Sequence, residues 1–460
     1  MDDKPRFKKI LLVVPPFYRL MGGKNNWVQL GLGYIASFLN KNGHAVKVYN
    51  ADHANKREDL TLRQVFEGYE NYRAIVNDIG HPIWQEIRAR IAEYQPDLIG
   101  ITVVLSATLK CAENIATVAH QVDKDIKIVL GGPHATMVYE DSIKRPWVDY
   151  VVRQEGEHTM LELIRGDGLA GIKGLSYKDA GGEVRHNPAR PLIEDLNSLP
   201  FPDPGLQLMP VMDPENNFGM ITTSRGCSLA CVFCSSPRLW NRKVRFRSVD
   251  NVVAEMEFRH DNYGVRRYYF CDDNISINKR FTQGLCRSMI DKGWDLSWSC
   301  EARVRSFDEE TLVLMKKAGC KRIKLGVESG SDKVLKFMRK GITVKDVRET
   351  VALIEKVGID LTIYILLGMP VEEPEDIEMT YGLLKEIEPA YVSLSVATPH
   401  IGSELWDIME KMNIDFPEDL WTDYYAQSGS TILNKYVTPQ VVDRFLKLNE
   451  RKTVSREIEA

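Results

Sequence analysis

Three of the chain's 8 cysteines fall within eight positions, in "RGCSLACVFCSS" at residues 225–236. Cys227, Cys231 and Cys234 form CxxxCxxC directly after the strand-like stretch "FGMITTSR". Two chemistries fit such a triplet. A structural zinc site needs a fourth ligand close by, and the first downstream His or Cys is His260. An iron–sulfur site needs none: three thiolates hold three irons of a 4Fe–4S cluster and leave the fourth iron open to an outside ligand. The other cysteines, Cys111, Cys271, Cys286, Cys300 and Cys320, lack metal spacing and read as buried small apolar residues, with Cys271 and Cys300 placed where they can face a cavity.

The elements that must position the triplet come in two sets. Apolar, Val- and Ile-rich strands are expected at 8–16, 44–50, 97–104, 126–133 and 148–157, alternating with helices such as 28–42 and 108–122. Continuous apolar strands between amphipathic helices indicate a parallel sheet covered on both faces. Residues 1–165 therefore read as a Rossmann-like doubly wound α/β domain with a helical insertion near 54–95. Residues 166–216 read as a connecting segment that ends in a Pro-rich linker (190–216). The βα alternation then restarts, with strands expected at 218–224, 265–272, 295–302, 320–328, 359–367 and 391–397. Six such units fit a partial (βα)6 barrel over 217–400, with catalytic residues at the strand carboxyl ends. The tail, 401–460, reads as a small, mostly helical cap.

Composition narrows the function class. A chain of 460 residues, 44% hydrophobic and 27% charged, is of globular type, and a net charge of −4 argues against nucleic acid as the main partner. The apolar run "ILLVV" before two prolines is too short for a signal peptide or membrane span, and no stretch approaches ~20 apolar residues. Unevenly spaced cysteines fit a reducing cytoplasm.

The cysteine spacing, with an aromatic residue (Phe233) before the last cysteine, resembles the radical S-adenosylmethionine (SAM) superfamily. The resemblance implies a 4Fe–4S cluster whose open iron is chelated by SAM, and cleavage of SAM to a 5′-deoxyadenosyl radical by an electron from a reductant protein such as a flavodoxin or ferredoxin. It also implies SAM contacts at successive strand ends. Asp272 and Asp273 stand where the family meets the methionine amino group, and Glu301 resembles its SAM-contacting carboxylate. Glu328 and Ser329 are placed for the ribose, Arg339 for the SAM carboxylate, and the backbone of "LLGMP" (366–370) for adenine. Asp272 and Asp273 equally suit a helix cap.

A Rossmann-like domain ahead of such a barrel resembles the cobalamin-binding radical SAM group. "LGGPHAT" (130–136), with Gly131, Gly132, Pro133 and His134, resembles that group's fourth-strand turn. "QEGEHT" (154–159), with Glu155, resembles its acidic turn, although Gln154 replaces the usual glycine. Val104, Leu105 and Ser106 lie where the third-strand turn faces cobalt. No DxHxxG motif is present and "ADHANK" (51–56) has the wrong spacing, so His53 reads as a loop residue and cobalt is expected to have no histidine below it. A dinucleotide is disfavoured because no GxGxxG follows the first strand.

The resemblance implies C-methylation of an unactivated carbon by way of the radical and methylcobalamin, on a small-molecule, lipid or peptide substrate. Two rivals stand beside it: a radical cyclase, ring-rearranging or C–C bond-forming enzyme without methyl transfer, and a non-catalytic cobalamin-binding protein with a structural metal. Trp240, Arg242, Arg245 and Arg247 suit either an anionic ligand or a solvated edge, and "LWTDYYAQSG" (420–429) suits a substrate mouth or the docking of the tail helix.

Overall fold

The run "KILLVV" is apolar on both sides of its pleat and forms the strand β1 (Lys9–Val14), at the centre of a parallel sheet, in a computed structural model of the chain. The structure describes residues 5–55, 58–211, 213–412, 425–427 and 433–450. These divide into two compact units. The first runs to Glu194, continued by 198–211 and Tyr425; the second holds 213–412, with Asp195–Asn197 and the described residues from Ala426 onward.

In the first unit β2 (Ala45–Asn50), β3 (Leu98–Thr102), β4 (Lys127–Gly131) and β5 (Tyr150–Val152) join β1 in the order β2-β1-β3-β4-β5, all parallel. Helices Leu30–Lys41, Leu109–Val122 and Glu157–Arg165 fall in the connections, and the insertion forms helices Leu62–Val76 and Pro82–Tyr94. The order reverses direction between β1 and β3, which opens a crevice at their carboxyl ends.

The segment after residue 165 is more structured than its sequence suggests. β6 (Leu175–Lys178) and β7 (Val184–His186) form an antiparallel hairpin that extends the same sheet beyond β5. Strands of four and three residues are too short to show a period of two, and the turn "DAGGE" between them was the available signal. Residues 166–186 thus belong to the first sheet rather than to a connection. Tyr425 stacks on Tyr69 (centroids 5.6 Å apart) and meets Phe17 edge-on within this unit, rather than docking a tail helix; residues 420–424 and 428–429 lie outside the described residues.

The second unit carries a six-stranded parallel sheet in the order β15-β14-β13-β12-β11-β8. Its strands are β8 (Met220–Ile221), β11 (Arg267–Phe270), β12 (Ser297–Arg303), β13 (Cys320–Glu328), β14 (Asp360–Leu367) and β15 (Tyr391–Val396). Helices follow β11 to β14, with well-built starts: Asp308 caps Glu309–Lys317, and Thr343 and Asp346 form a reciprocal capping box for Val344–Val357. This is the expected (βα)6 arrangement. Of the tail, helices Glu404–Lys411 and Pro439–Glu450 are described.

Candidate active site

The three cysteines occupy the loop after β8, with a two-stranded ribbon at its base formed by β9 (Ser224–Arg225) and β10 (Arg245–Phe246). Asp272 fixes the approach to this loop. Its buried carboxylate accepts from the backbone N–H and hydroxyl groups of both Thr223 and Ser224, at 2.6–3.1 Å. Asp272 thus shapes the chain before Cys227 and has no free oxygen aimed at a ligand. Its neighbour Asp273 is exposed, accepts from Ser236 Oγ at 2.9 Å, and lies close enough to Cys227 and Cys234 to disfavour their thiolates.

Beneath β8 lies a buried Arg–Glu–Arg triad. Glu255 pairs with Arg247 at 2.5 Å and with Arg259, and Arg259 Nη1 donates to the carbonyls of Phe218 (2.7 Å) and Met220. Burial disfavours the Glu255 carboxylate, but the two guanidiniums outweigh it and hold its pKa down. Arg247 is therefore neither a solvated edge nor an anion ligand. Arg245 is likewise buried, its guanidinium 5.4 Å from the Trp240 ring centroid, while Arg242 is exposed.

On the far side of the loop, Val232 is gripped from two directions: its N–H donates to Met338 O (3.1 Å) and its carbonyl accepts from Leu405 N (2.7 Å). Arg339 is engaged elsewhere: its exposed side chain pairs with Glu404 at 2.7 Å. The cation at the loop is the next residue. Lys340 is buried, pairs with Glu328 at 2.6 Å, and stands 5.6 Å from the Phe233 ring. Gly326 makes room for this pair, because a Cβ there would stand 2.8 Å from both Glu328 Oε1 and Lys340 Nζ. Glu328 has a left-handed backbone (φ 73°), uncommon for a non-glycine residue and a mark of a constrained strand end. Arg303, at the end of β12, donates to Lys340 O; burial raises the pKa of Cys231, and the two cations, Lys340 and Arg303, offset part of that rise. Ser329 is fully buried, within 3.3 Å of Thr380 Oγ1 and accepting from Ser331 N, which commits it to the turn rather than to a ribose.

The barrel's inner face is polar. The Glu301 carboxylate accepts from the hydroxyls of Tyr269 and Tyr364 (the latter at 3.1 Å), and Lys324 Nζ lies 4.1 Å from the Tyr269 ring centroid. Burial, then the Glu301 charge, pushes both tyrosine pKa values up, and burial holds Lys324 down. Tyr364, Glu328, Phe233 and His400 line a cavity of about 210 Å³ at the carboxyl ends of β13–β15, room for part of a small-molecule ligand. Cys271 Sγ lies 3.4 Å from Ile221 O on the Glu301 side, whereas Cys300 is fully buried beside Cys320 and Cys286 on the opposite face of its strand, where it cannot meet a cavity.

The donor set fits an iron–sulfur cluster. All eight cysteines are free thiols, and burial raises the pKa of each of the three on the loop, so ionisation there calls for a bound metal's positive charge. Among the described residues no three Cys, His, Asp or Glu side chains are gathered around a single-ion position; a cluster instead takes one thiolate per iron.

In the first unit Gly131, Gly132, Pro133 and His134 lie at the carboxyl end of β4, and Val104, Leu105 and Ser106 at that of β3. A Cβ on Gly131 would meet only Val152 O, 3.8 Å away, so the backbone there is open to a bulky ligand. Gln154 keeps the left-handed conformation (φ 60°) expected of the glycine it replaces. Glu155 is buried and accepts from Ile193 N at 2.7 Å, so it anchors the following segment. His53 is a half-buried loop residue bonded to Asn55, while its neighbour Asp52 is buried and accepts from the N–H groups of Phe17, Tyr18 and Arg19.

Lys340, Arg303, Tyr269, Tyr364 and Asp52 escaped the reading from sequence. The signal for the barrel residues was a period of two: in "SWSCEAR", Ser297, Ser299, Glu301 and Arg303 alternate with Trp298, Cys300 and Ala302.

Residues 221–384 match the model of the radical SAM superfamily, and residues 23–164 that of the B12 binding domain. An uncharacterized methyltransferase of Pyrococcus horikoshii is 34% identical over 443 residues, covering 94% of this chain and 90% of the relative. The anaerobic magnesium-protoporphyrin IX monomethyl ester cyclase of Rubrivivax gelatinosus is 28% identical over 411 residues, 86% of this chain and 69% of the relative. Among solved structures, the radical SAM methyltransferase TsrM of Kitasatospora setae, with its tryptophan substrate and a SAM analog, shares the fold at a TM-score of 0.71 and 20% identity, covering 96% of this chain and 89% of TsrM. The chain belongs to the radical SAM superfamily, in the group that carries a B12-binding domain ahead of the radical SAM domain. It is an enzyme of that class.

Proposed function

We propose that this enzyme is a cobalamin-dependent radical SAM C-methyltransferase acting on a small-molecule substrate. The observation that carries the reading is the 34% identity, over nearly the whole of both chains, to a protein named as a methyltransferase. The cysteine loop at the end of the first barrel strand supports it.

In this reading Cys227, Cys231 and Cys234 hold the cluster, with Phe233 packed beside Lys340. The SAM carboxylate is met by Lys340 and Arg303 rather than Arg339, whose guanidinium is already paired outside. Asp273, Glu301 and Glu328 supply the carboxylates that orient the amino and ribose groups, while Asp272 and Ser329 shape the loops that carry these residues. The small residues Gly131, Gly132 and Pro133 would hold cobalamin, with Val104, Leu105 and Ser106 lining the same strand ends. When bound, it supplies a methyl group to a substrate carbon from which hydrogen has been removed. Residues 1–165, with the hairpin that follows, form the cobalamin-binding domain, 217–400 the radical SAM barrel, and helices Glu404–Lys411 and Pro439–Glu450 its cap. A cytoplasmic flavodoxin or ferredoxin supplies the electron. Among the described residues no helix is long and apolar enough to cross a membrane.

The likeness to the cyclase favours one alternative, radical chemistry without methyl transfer. Products separate the two in anaerobic turnover of the full chain with SAM and a reductant. Methyl transfer yields S-adenosylhomocysteine together with 5′-deoxyadenosine; 5′-deoxyadenosine alone sinks the methyltransferase reading.

A further inference from the structure

We infer that His134 is a positioning residue that holds the Ser106 hydroxyl against itself, so that the turn after β3 offers cobalt a non-coordinating face. The inference rests on the cobalamin reading of the first unit and goes beyond it to a named side chain.

The sheet order places the ligand crevice at the carboxyl ends of β1 and β3, and the turn after β3 is Val103-Val104-Leu105-Ser106. Val104 is 56% exposed, an apolar side chain presented outward at the tip of a buried strand. Ser106 carries the turn's only side-chain oxygen. That oxygen lies 2.9 Å from Nδ1 of His134, a residue on the neighbouring turn after β4.

The two turns are tied to each other as well. Val103 N donates to Gly131 O (2.8 Å), and His134 N donates to Val103 O (3.1 Å). Gly132 permits the approach with φ 95°, where a Cβ would stand 2.9 Å from both Thr102 Oγ1 and Val103 O. Just after the turn, Thr108 N and Oγ1 both donate to Leu105 O. The turn is thus fixed in shape, and its single polar side chain is engaged by the imidazole. His134 is buried and, with Arg145 nearby, is kept neutral, so the ring remains a hydrogen-bond partner for a hydroxyl across the working pH range.

An amide can replace either ring nitrogen, and this gives a test that preserves size and polarity. Asn at this position reaches about where Nδ1 stands; Gln reaches about where Nε2 stands. Full-length wild type, His134→Asn, His134→Gln and the double variant His134→Gln/Ser106→Ala are loaded anaerobically with cob(II)alamin, and binding stoichiometry and the cobalt(II) EPR spectrum are read. His134→Asn is expected to keep the wild-type spectrum. His134→Gln is expected to shift it toward an oxygen-ligated signal with cobalamin still bound, and the double variant to restore it. A wild-type spectrum from cobalamin-loaded His134→Gln, or identical shifts in the Asn and Gln variants, overturns the inference. A wild-type chain that takes up no cobalamin overturns the cobalamin reading and this inference together.

Discussion

The two units carry strand-end sites of opposite character. In the first, the turns after β3 and β4 present glycine, proline and an exposed valine, and the polar side chains there are engaged by their own neighbours. In the second, the barrel's inner face carries Glu301, Lys324, Tyr269 and Tyr364, and the cysteine loop has Lys340, Arg303 and Glu328 beside it. In the proposed reading the contrast follows from what each would hold. A large cofactor that docks against backbone needs shape and the absence of side chains. A small zwitterion and a thiolate-bound cluster need fixed charges in a low-dielectric interior, where such charges act most strongly.

The contrast can be broken most completely at the cysteines. Cys231→Ala should abolish the cluster, seen as loss of iron and of the visible iron–sulfur absorbance, while cobalamin binding by the first unit stays. Loss of both cofactors from a folded variant would mean that the two sites are not separable.

Next in size is the buried triad. Glu255→Gln leaves two buried guanidiniums without their counter-charge, so the second unit should lose about 3–5 kcal/mol of stability. Urea unfolding followed by tryptophan fluorescence reads this unit through Trp240, Trp294, Trp298 and Trp406, and the transition that Glu255→Gln shifts is the one assigned to it. An unchanged midpoint would show the triad to be dispensable for stability.

The first unit has its own buried acid. Burial outweighs the three N–H donors on Asp52 and pushes its pKa from 3.8 up to about 6. The folded chain therefore binds a proton that the unfolded chain has released between these values. The associated stability is fully present below about pH 4 and is lost as pH rises through about 6, an effect of up to about 3 kcal/mol. Asp52→Asn should remove that slope from a series of unfolding curves between pH 4.5 and 7.5; an unchanged slope would assign it elsewhere.

The smallest effect separates adjacent residues. Lys340→Met should weaken SAM binding about 10- to 100-fold, as expected for loss of a charge-assisted hydrogen bond, whereas Arg339→Ala should change it less than about threefold. Equilibrium dialysis of SAM against the cluster-loaded protein measures both, and the reverse ranking would return the carboxylate to Arg339.

Sequence made the two architectures legible because their signals are long: buried parallel strands appear as apolar runs, and each barrel strand returns with a helix behind it. The cysteine triplet was legible because spacing along one loop survives folding. What escaped was set by direction. Arg339 and Lys340 are adjacent, yet Arg339, with a left-handed backbone (φ 52°), pairs with Glu404 at the surface while Lys340 is buried against Glu328. Asp272 and Asp273 divide in the same way, one sealed against Thr223 and Ser224, the other exposed at the cysteine loop. The β6–β7 hairpin escaped for want of length.

The account stands or falls on the cofactors of the full chain purified without oxygen. Metal analysis with the visible spectrum should find about four irons and four sulfides per chain, as a 4Fe–4S cluster requires, together with one bound cobalamin. Zinc in place of iron, with no cobalamin bound, would contradict it.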